Sequence, residues 1–445
     1  MTDHPPVQVH VDLDGAPVLV GTAHFHHRGG TTSTNFEYAS TWLGDDRSFA
    51  IDPELGLYSG SQYSEGLFGA LADCAPDRWG RNLISRRHRA EHSGASPAPT
   101  LSDADYLLDV SDLTRQGALR FRYDGDSEFV AADHEVPKLV ELPKLMSFAA
   151  EVAKDNDDSY KAVKALLDAG TGSLGGARPK ATVRGDDDEL SIAKFPHHSD
   201  DWNVCLWEKT ALDIAAEASV PTPATQLVNV GPGHALVLAR FDRHGTTRVP
   251  YMSAMTLVSG RDGDDHDYEA IVDQFEESGT DVASQLEDLF RRVTLSVAVH
   301  NTDDHLRNTG FLRAADGWRL SPVFDVNPNP DVGGARQTTI SGAERLDDEA
   351  DGLMVFAGRC RLKTDGARRV IGEVLDATAR WRDVAAGHGA PQPELNRFAE
   401  SFEAPRKRLS ALLTVPIAAG GEPAVTSTDG RRRRPPGSPE GGQFA

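Results

Sequence analysis

Residues 300–308 read HNTDDHLRN, and two short strand-like runs lead from them to the pair Phe324-Asp325. Phosphoryl transfer needs one carboxylate that orients the attacking hydroxyl and accepts its proton. It also needs an amide oxygen and a second carboxylate that hold Mg²⁺ against the phosphates. An Asp, four further residues, an Asn and a later Asp at the end of an apolar strand supply these groups. The spacing predicts Asp303 as the base, and Asn308 and Asp325 as the metal ligands, of a kinase-like catalytic centre.

The segments around this motif fix its expected setting. Apolar residues fall on one face of residues 284–299, which predicts a buried helix that delivers the motif to a loop. Residues 310–312 and 318–320 are predicted to form a hairpin across Asp316-Gly317, a strong turn pair. Pro328 and Pro330 forbid continuation as helix or central strand. Asp325 is therefore expected at a strand end that faces a cleft.

A glycine-rich segment, residues 170–180, precedes this region and reads GTGSLGGARPK. Glycine lets the backbone N–H groups of a loop approach phosphates closely, although such runs are more often plain turns. The segment is not a Walker A loop, because the G-x-x-x-x-G-K-[ST] spacing is absent. Two strands are predicted next, at 181–183 and 190–195, so the loop stands beside a hairpin.

The second of these strands carries Lys194 between apolar neighbours. A strand lysine beside a glycine loop is typical of a kinase N-lobe, where it meets the α- and β-phosphates. A buried lysine needs a partner, and the helix predicted at 202–218 offers Glu208 near its apolar stripe. An exposed helix glutamate is the alternative interpretation of Glu208. Strands predicted at 227–230 and 235–241 then lead into the segment that is expected to join two lobes.

Composition limits the classes of protein that the chain can be. The formal net charge of -22 disfavours a free-standing nucleic-acid binder, because phosphate backbones are held by Lys and Arg. The three cysteines, Cys74, Cys205 and Cys360, are far apart, so neither a disulfide framework nor a cysteine zinc site is supported. The N-terminus lacks a signal-peptide pattern, and no run approaches the ~20 apolar residues that span a bilayer. We therefore expect a cytoplasmic protein.

Four segments describe the expected organisation. Residues 1–125 are predicted to form a small α/β subdomain, 126–243 an N-lobe with the glycine loop and strand lysine, and 244–415 a helical C-lobe whose last helix is expected at 394–413. Residues 416–445 are rich in Gly, Pro and Ser and contain four consecutive arginines, which predicts a disordered tail. The arginines are compatible with nucleic-acid contact, but a solvated tail is the simpler interpretation.

The central motif has three rival interpretations. His300, Asp304 and His305 fit a metal-dependent hydrolase, which would need further His or Asp ligands upstream. A purely structural interpretation treats the aspartates as helix caps and Asn308 as a turn residue. A pseudokinase is the third, although no catalytic position has been lost. A non-enzymatic scaffold that binds an antitoxin or DNA is the alternative function.

Six segments together resemble the HipA family of bacterial serine/threonine kinases, which are toxins of type II toxin–antitoxin modules. They follow one another in the family's order: 76–81 (PDRWGR), 172–180 (GSLGGARPK), 192–196 (IAKFP), 239–243 (ARFDR), 301–308 (NTDDHLRN) and 320–328 (LSPVFDVNP). Each segment alone is a weak signal, but their order over residues 1 to about 415 makes the resemblance specific. Arg-Pro before Lys180 and the Arg-rich tail depart from the family pattern.

The resemblance implies an α+β, two-lobed, PI3/4-kinase-like fold in which ATP lies between the lobes. It gives Asp303 the role of catalytic base, gives Mg²⁺ to Asn308 and Asp325, and places Lys194 on the ATP phosphates as a second catalytic residue. Further ATP contacts are implied for Gly175, Gly176, Ala177, Arg178, Pro179, Lys180, the backbone of Ala239, Arg240 and Phe241, and His305. Ser173 matches the family's autophosphorylated serine, where a phosphate would repel the ATP phosphates and switch the enzyme off.

The resemblance also implies partners. Family members phosphorylate translation components, typically an aminoacyl-tRNA synthetase, and arrest growth. A helix-turn-helix antitoxin of the HipB type neutralises them, and the complex binds operator DNA mainly through the antitoxin. That arrangement agrees with the acidity of this chain, and it implies no membrane partner.

Overall fold

The computed structural model describes residues 4–92, 100–132, 136–153, 160–168, 178–185, 188–230 and 233–414. Four of the predicted loop residues, Ser173, Gly175, Gly176 and Ala177, lie outside the described residues, as does the predicted tail. Within the described ranges, no helix is long and apolar enough to cross a membrane.

An antiparallel five-stranded sheet forms the centre of the N-terminal part. Its strands are Val7–Leu13 (β1), Ala16–Arg28 (β2), Thr31–Tyr38 (β3), Ser61–Glu65 (β4) and Leu119–Tyr123 (β5), in the spatial order β4-β3-β2-β1-β5. Val7, Val9 and Val11 alternate along β1 and are fully buried, because successive side chains of a strand point to opposite faces. The same part of the chain contains four helices, Ser40–Leu43 (α1), Gly69–Ala72 (α2), Arg78–Glu91 (α3) and Asp103–Asp109 (α4).

Helix α3 packs away from this sheet, in a second hydrophobic core. Its buried residues Trp79, Leu83 and Ile84 join a cluster with two helices, Leu142–Ala153 (α5) and Tyr160–Asp168 (α6). Asp77 caps the helix, because its Oδ1 accepts a hydrogen bond from the backbone N–H of Gly80 at 2.7 Å. The first turn of α3 is therefore held by the cap at its N-terminus and by the burial of Trp79.

A four-stranded antiparallel sheet completes this second core. Its strands are Lys180–Arg184 (β6), Leu190–Lys194 (β7), Thr225–Val230 (β8) and Gly233–Ala239 (β9), in the order β6-β7-β9-β8. Lys180 pairs with Lys194 across the two neighbouring strands, and directly paired residues project from the same face of a sheet. Helix Val204–Glu217 (α7) follows β7 and buries Trp207, whose ring stacks on that of Phe398 at 3.8 Å.

The rest of the described chain is largely helical. Its helices are Ala254–Leu257 (α8), Tyr268–Ser278 (α9), Val282–Ala298 (α10), Leu346–Arg359 (α11), Thr364–Thr378 (α12), Trp381–Gly387 (α13), Gln392–Arg397 (α14) and Ala399–Thr414 (α15). Its short strands are Arg243–His244 (β10), Thr247–Arg248 (β11), Tyr251–Ser253 (β12), His266–Asp267 (β13), Gly310–Arg313 (β14), Trp318–Leu320 (β15) and Thr338–Thr339 (β16). Helix α10 is buried along most of its length and leads directly into the 300–308 loop.

Two predicted elements are wrong. The strand expected to end at Asp325 stops at Leu320, where the Ser321 N–H makes the last bond to Gly310. Pro322 has no N–H to continue the ladder, and Val323 turns to the Pro221 carbonyl instead. The continuous last helix expected from residue 394 is broken at Phe398, whose ring is buried against Trp207.

Candidate active site

Lys194 is bonded to two carboxylates, and the second of them, Asp325, belongs to the helical lobe. Its Nζ lies 2.6 Å from Glu208 Oε1 on α7 and 2.8 Å from Asp325 Oδ1. The Lys194 side chain is 11% exposed and that of Glu208 only 3%, so both charges are largely removed from water. A buried ammonium group needs compensating charge, and here it has two carboxylates. The structure thus brings together three of the predicted site residues.

The charges of this cluster support one another. Burial alone would lower the pKa of Lys194, but the Asp325 and Glu208 carboxylates outweigh it and raise that pKa above its usual range. Burial would likewise raise the pKa of Asp325, and Lys194 instead holds it well below its usual range. Both groups are therefore charged at neutral pH.

Asp325 owes its position to an irregular backbone. Its φ is +59°, a left-handed conformation that is uncommon for residues other than glycine. Asn327 donates from its Nδ2 to Asp325 Oδ1 at 3.0 Å, beside the Lys194 bond. Among the described side chains, none donates to Asp325 Oδ2. That oxygen is available to a cation.

The 300–308 loop presents the other two predicted residues. Helix α10 ends in a tight turn at His300, whose φ is +53° and whose Nε2 bonds the Asp331 carbonyl at 3.1 Å. Asn308 donates from Nδ2 to the Asp303 carbonyl at 3.0 Å, which leaves its Oδ1 for a cation. Gln337 Nε2 donates to Asp303 Oδ1 at 2.7 Å. The Asp303 carboxylate is thereby held in one orientation.

The environment of Asp303 favours proton acceptance. Burial raises its pKa above the ordinary aspartate value, and the nearby Asp325 and Asp304 charges add to this effect against the opposing charge of His305. A carboxylate with a raised pKa is a stronger base, which is the property that a catalytic proton acceptor needs.

Asp304, next to Asp303, points the other way and holds the loop in place. Its Oδ2 accepts hydrogen bonds from the hydroxyl groups of Tyr268 and Ser296. Arg336, which is fully buried, bonds Ser296 Oγ at 2.9 Å and Glu349 Oε1 at 2.6 Å. Asp304 therefore fixes the 300–308 loop to the helices that carry Tyr268 and Ser296.

The metal-hydrolase interpretation of this motif finds no support in the structure. Asp304 is occupied by hydroxyl groups and His300 by a carbonyl. Over the described ranges, no group of three or more His, Cys, Asp or Glu side chains is arranged to hold a metal ion. The upstream ligands that this interpretation requires are not found there.

A cavity of about 730 Å³ opens beside the cluster, within the size range of small-molecule sites. Lys194, Ile192, Leu238, Ala239 and Phe241 line it from the four-stranded sheet and its exit. His305, Asn308, Phe324 and Asp325 line it from the helical lobe. The Phe241 and Phe324 rings lie 5.6 Å apart across the two lobes, so one part of the wall is aromatic and another is charged.

The last residue of the glycine-rich segment, Lys180, lies on the same wall. Lys180 lines the cavity, and its Nζ is 2.6 Å from Asp77 Oδ2, with side-chain exposures of 2% and 6%. Pro179 is buried and its carbonyl accepts from the Phe195 N–H. Arg178 pairs with Asp200 at 2.6 Å and is not among the residues that line the cavity.

The backbone and side-chain groups of residues 239–241 have different partners. The N–H groups of Ala239 and Arg240 donate to the carbonyls of Ala224 and Leu190, so neither is free for a ligand. The Arg240 side chain is buried and is not among the residues that line the cavity. Its guanidinium bonds Asp242 and the carbonyls of Thr114 and Arg115.

Asp242 is the centre of a buried charge cluster that includes Arg240 and Arg243. Burial alone would raise the pKa of Asp242, but the two guanidinium groups hold it well below its usual range. Asp242 also accepts the N–H of Gly117 at 2.7 Å, and Arg243 bonds the carbonyls of Gly117 and Arg115. The cluster ties the segment between the lobes to the N-terminal part of the chain.

Two groups of this site carry no recognisable signal in the sequence. Gln337 follows a glycine-containing loop and has no periodic context, so only its contact with Asp303 reveals it. The ion pair of Asp77 with a lysine 103 residues away depends on the tertiary fold. Long-range contacts of this kind leave no trace in local patterns.

The fold and the site geometry agree with two comparisons. Residues 172–381 match the family described as HipA-like C-terminal domain. The fold is similar to that of HipA in the Shewanella oneidensis MR-1 toxin–antitoxin complex of HipA, HipB and operator DNA, with 14% identity and a TM-score of 0.63. That match covers 92% of this chain and 100% of the other. The protein is thus a two-lobed, kinase-like α+β protein, as predicted. Residues 172–381 are therefore similar to the C-terminal domain of HipA-like proteins, and the fold as a whole is similar to that of HipA.

Two further comparisons add little to this assignment. The chain is also similar to the Helicobacter pylori proinflammatory kinase CtkA, at 16% identity over 54% of this chain and 95% of the other. The TM-score of that match, 0.36, is too low to support a conclusion. Among curated proteins, no match was found.

Proposed function

We propose that this protein is an ATP- and Mg²⁺-dependent serine/threonine protein kinase. The observation that carries the proposal is the position of Lys194, bonded to Glu208 and to Asp325 on the wall of a cavity that Asn308 also lines. Protein kinases require a strand lysine, a helix glutamate and a metal-binding aspartate to be in place together. The match of residues 172–381 to the HipA-like C-terminal domain supports the same reaction class.

The residues fit a magnesium ion bound with a nucleotide. Mg²⁺ prefers oxygen ligands, and in kinases it takes one or two from the protein and the others from water and phosphates. Asn308 Oδ1 and Asp325 Oδ2 are two such oxygens, each left available by the bonds of its own side chain. The bound Mg²⁺–ATP would supply the phosphoryl group and neutralise its charge.

The chain's own residues perform the other tasks in this proposal. Asp303, oriented by Gln337, aligns the acceptor hydroxyl and takes its proton as the hydroxyl oxygen attacks. Lys194 steadies the phosphates, and Glu208 keeps the ammonium group in position. Because the reacting groups are fixed before the reaction, positioning and charge stabilisation supply most of the rate.

The aromatic part of the cavity suits the base of the nucleotide. Ile192, Leu238 and Phe324 offer apolar contact to a flat ring. In the segment between the lobes, Phe241 N–H is the donor for the adenine edge in this proposal, since the N–H groups of Ala239 and Arg240 are already bonded.

We further propose a role in a type II toxin–antitoxin module. The similarity in fold to HipA from a HipA–HipB–operator DNA complex supports a HipB-type antitoxin as partner. The net charge of -22 favours DNA contact through that partner. The proposed substrate is a translation component such as an aminoacyl-tRNA synthetase, and the proposed regulatory step is autophosphorylation at Ser173.

One experiment tests the kinase proposal directly. The purified chain and its Asp303→Ala variant are incubated with Mg²⁺ and γ-labelled ATP, with Asp347→Ala as a matched control that also removes one exposed carboxylate. We expect label in the wild type and control and essentially none in Asp303→Ala, with ATP affinity retained. Equal incorporation by wild type and Asp303→Ala would refute the proposal.

The alternative is a scaffold of the same fold that binds an antitoxin-like repressor without catalysis. A titration with Mg²⁺–ATP separates the two, because a scaffold has no need to bind nucleotide. Phosphoproteomics after induction, comparing the wild type with Asp303→Ala, would then name the substrate.

A further inference from the structure

The N-terminal motif PDRWGR (76–81) lies on the cavity wall. Pro76, Asp77, Arg78 and Arg81 all line the cavity, opposite the residues of the helical lobe. Nothing in the catalytic assignment uses these side chains. Their presence on the wall raises the question of what they contact when a ligand is bound.

The wall is held rigidly at this point. Asp77 is engaged twice, by the Gly80 N–H at the start of α3 and by the Lys180 ammonium group. Trp79 and Leu83 anchor the same helix in the core of the four-stranded sheet. The first turn of α3 is therefore a fixed platform, and a side chain that it presents to the cavity is preorganised.

Arg78 is the side chain of interest on that platform. It is exposed and lines the cavity. The other described lysines and arginines of the wall each have a carboxylate partner: Arg81 with Asp103, Lys180 with Asp77, Lys194 with Glu208 and Asp325, and Arg307 with Asp262. Within the described part of the chain, no carboxylate lies within ion-pair distance of Arg78.

The position of Arg78 along the wall identifies the part of the ligand it would meet. Its neighbour Asp77 binds Lys180, which is paired across two strands with Lys194. Lys194 in turn binds Asp325, the proposed metal ligand. Arg78 thus lines the cavity next in sequence to the first residue of this chain of charged contacts.

We infer that Arg78 binds the phosphate groups of the nucleotide, so that the N-terminal part of the chain supplies a ligand contact in cis. This inference rests on the proposed function and extends it to a residue outside the two lobes. The forked guanidinium group matches the geometry of phosphate oxygens and donates two parallel hydrogen bonds. A lysine would supply the charge without the fork.

Nucleotide titrations of the full chain test the inference. The affinities of Mg²⁺–ATP and of adenosine are measured for the wild type, Arg78→Ala and Arg78→Lys. Arg89→Ala, an exposed arginine on the same helix and outside the cavity lining, is the control for lost charge. Loss of hydrogen bonds to a charged group weakens binding by roughly 10- to 100-fold.

We expect that loss for ATP in Arg78→Ala, a smaller loss in Arg78→Lys, and ATP affinity within twofold of wild type in Arg89→Ala. Adenosine affinity should stay within twofold in all variants. Equal ATP affinity in wild type and Arg78→Ala overturns the inference, even if the variant has a raised KM for a protein substrate. Parallel losses of ATP and adenosine also overturn it, because they indicate a structural role. Failure of the wild type to bind ATP would instead remove the proposed function itself.

Discussion

The buried ion pair between Asp77 and Lys180 makes a sharp prediction about stability. The Asp77→Asn variant keeps an acceptor for the Gly80 N–H, because asparagine is as good a helix cap as aspartate. It removes the carboxylate charge that is bonded to the Lys180 ammonium group. The variant therefore isolates the ion pair from the cap.

The magnitude follows from the burial of the two groups. The side chains of Lys180 and Asp77 are 2% and 6% exposed, so solvent screens their interaction little. Removal of one partner of such a pair destabilises a protein by about 3–5 kcal/mol, since the other buried charge loses a bonded counter-charge. Asp77→Ala should lose about 1 kcal/mol more, because the cap is lost as well. The double variant Asp77→Asn/Lys180→Met should recover most of the loss.

Denaturant unfolding followed by circular dichroism at pH 7 measures these free energies. The control is Asp103→Asn, which breaks the 2.8 Å pair between Arg81 on α3 and Asp103 on α4. That pair is 37% and 41% exposed, so we expect at most about 1 kcal/mol. A loss below about 1 kcal/mol for Asp77→Asn, or no recovery in the double variant, would show that the reasoning from burial is wrong.

Three further predictions concern the site and the pH dependence of folding. Glu208→Gln should lower kcat/KM by roughly 100-fold in a labelled-phosphate assay, because Lys194 loses the partner that holds it; a rate within threefold of wild type would contradict this role. Gln337→Ala removes a hydrogen bond to the charged form of Asp303 and should therefore raise the pKa of that carboxyl group. The acid limb of the kcat/KM profile should then move to higher pH by up to about one unit. An unshifted limb would exclude Gln337 as a positioning residue. Burial and the Arg122 charge lower the pKa of His10 to about 4, below the value of about 6.5 in the unfolded chain. The free energy of unfolding therefore contains the full contribution of neutral His10 above pH 6.5. That contribution falls as the pH drops toward 4, by about 1–2 kcal/mol between pH 6.5 and 5. His10→Gln should lack that part of the slope in unfolding experiments at these two pH values.

Local sequence patterns correctly predict those helices and hairpins whose formation depends on residues close together in the sequence. The buried helix predicted at 284–299 is found as Val282–Ala298, because its apolar stripe extends over four turns. The hairpin around Asp316-Gly317 is found with strands Gly310–Arg313 and Trp318–Leu320, since turn and strand preferences agree there.

Features that depend on the tertiary fold are missed. Leu320 ends a strand that the apolar residues 323 and 324 seemed to prolong, because the chain turns toward the Pro221 carbonyl far away in sequence. Phe398 breaks the last helix to bury its ring on Trp207, almost 200 residues earlier. The motif residues Lys194, Glu208 and Asp325 were named from their spacing and setting, and the structure places them within hydrogen-bond distance. Their supports, such as Gln337, could only be seen in three dimensions.

The cluster of Arg240, Asp242 and Arg243 determines how the chain can be divided in the laboratory. Its guanidinium groups take carbonyls of residues 114, 115 and 117 as acceptors. A truncated protein that starts at residue 126 would keep both arginines but lose those acceptors, together with the Gly117 N–H that Asp242 accepts. The three ionised groups would then lose hydrogen-bond partners, and a surface that is buried in the full chain would become exposed. Such a surface favours aggregation. Expression of the kinase lobes alone is therefore a poor route to active material.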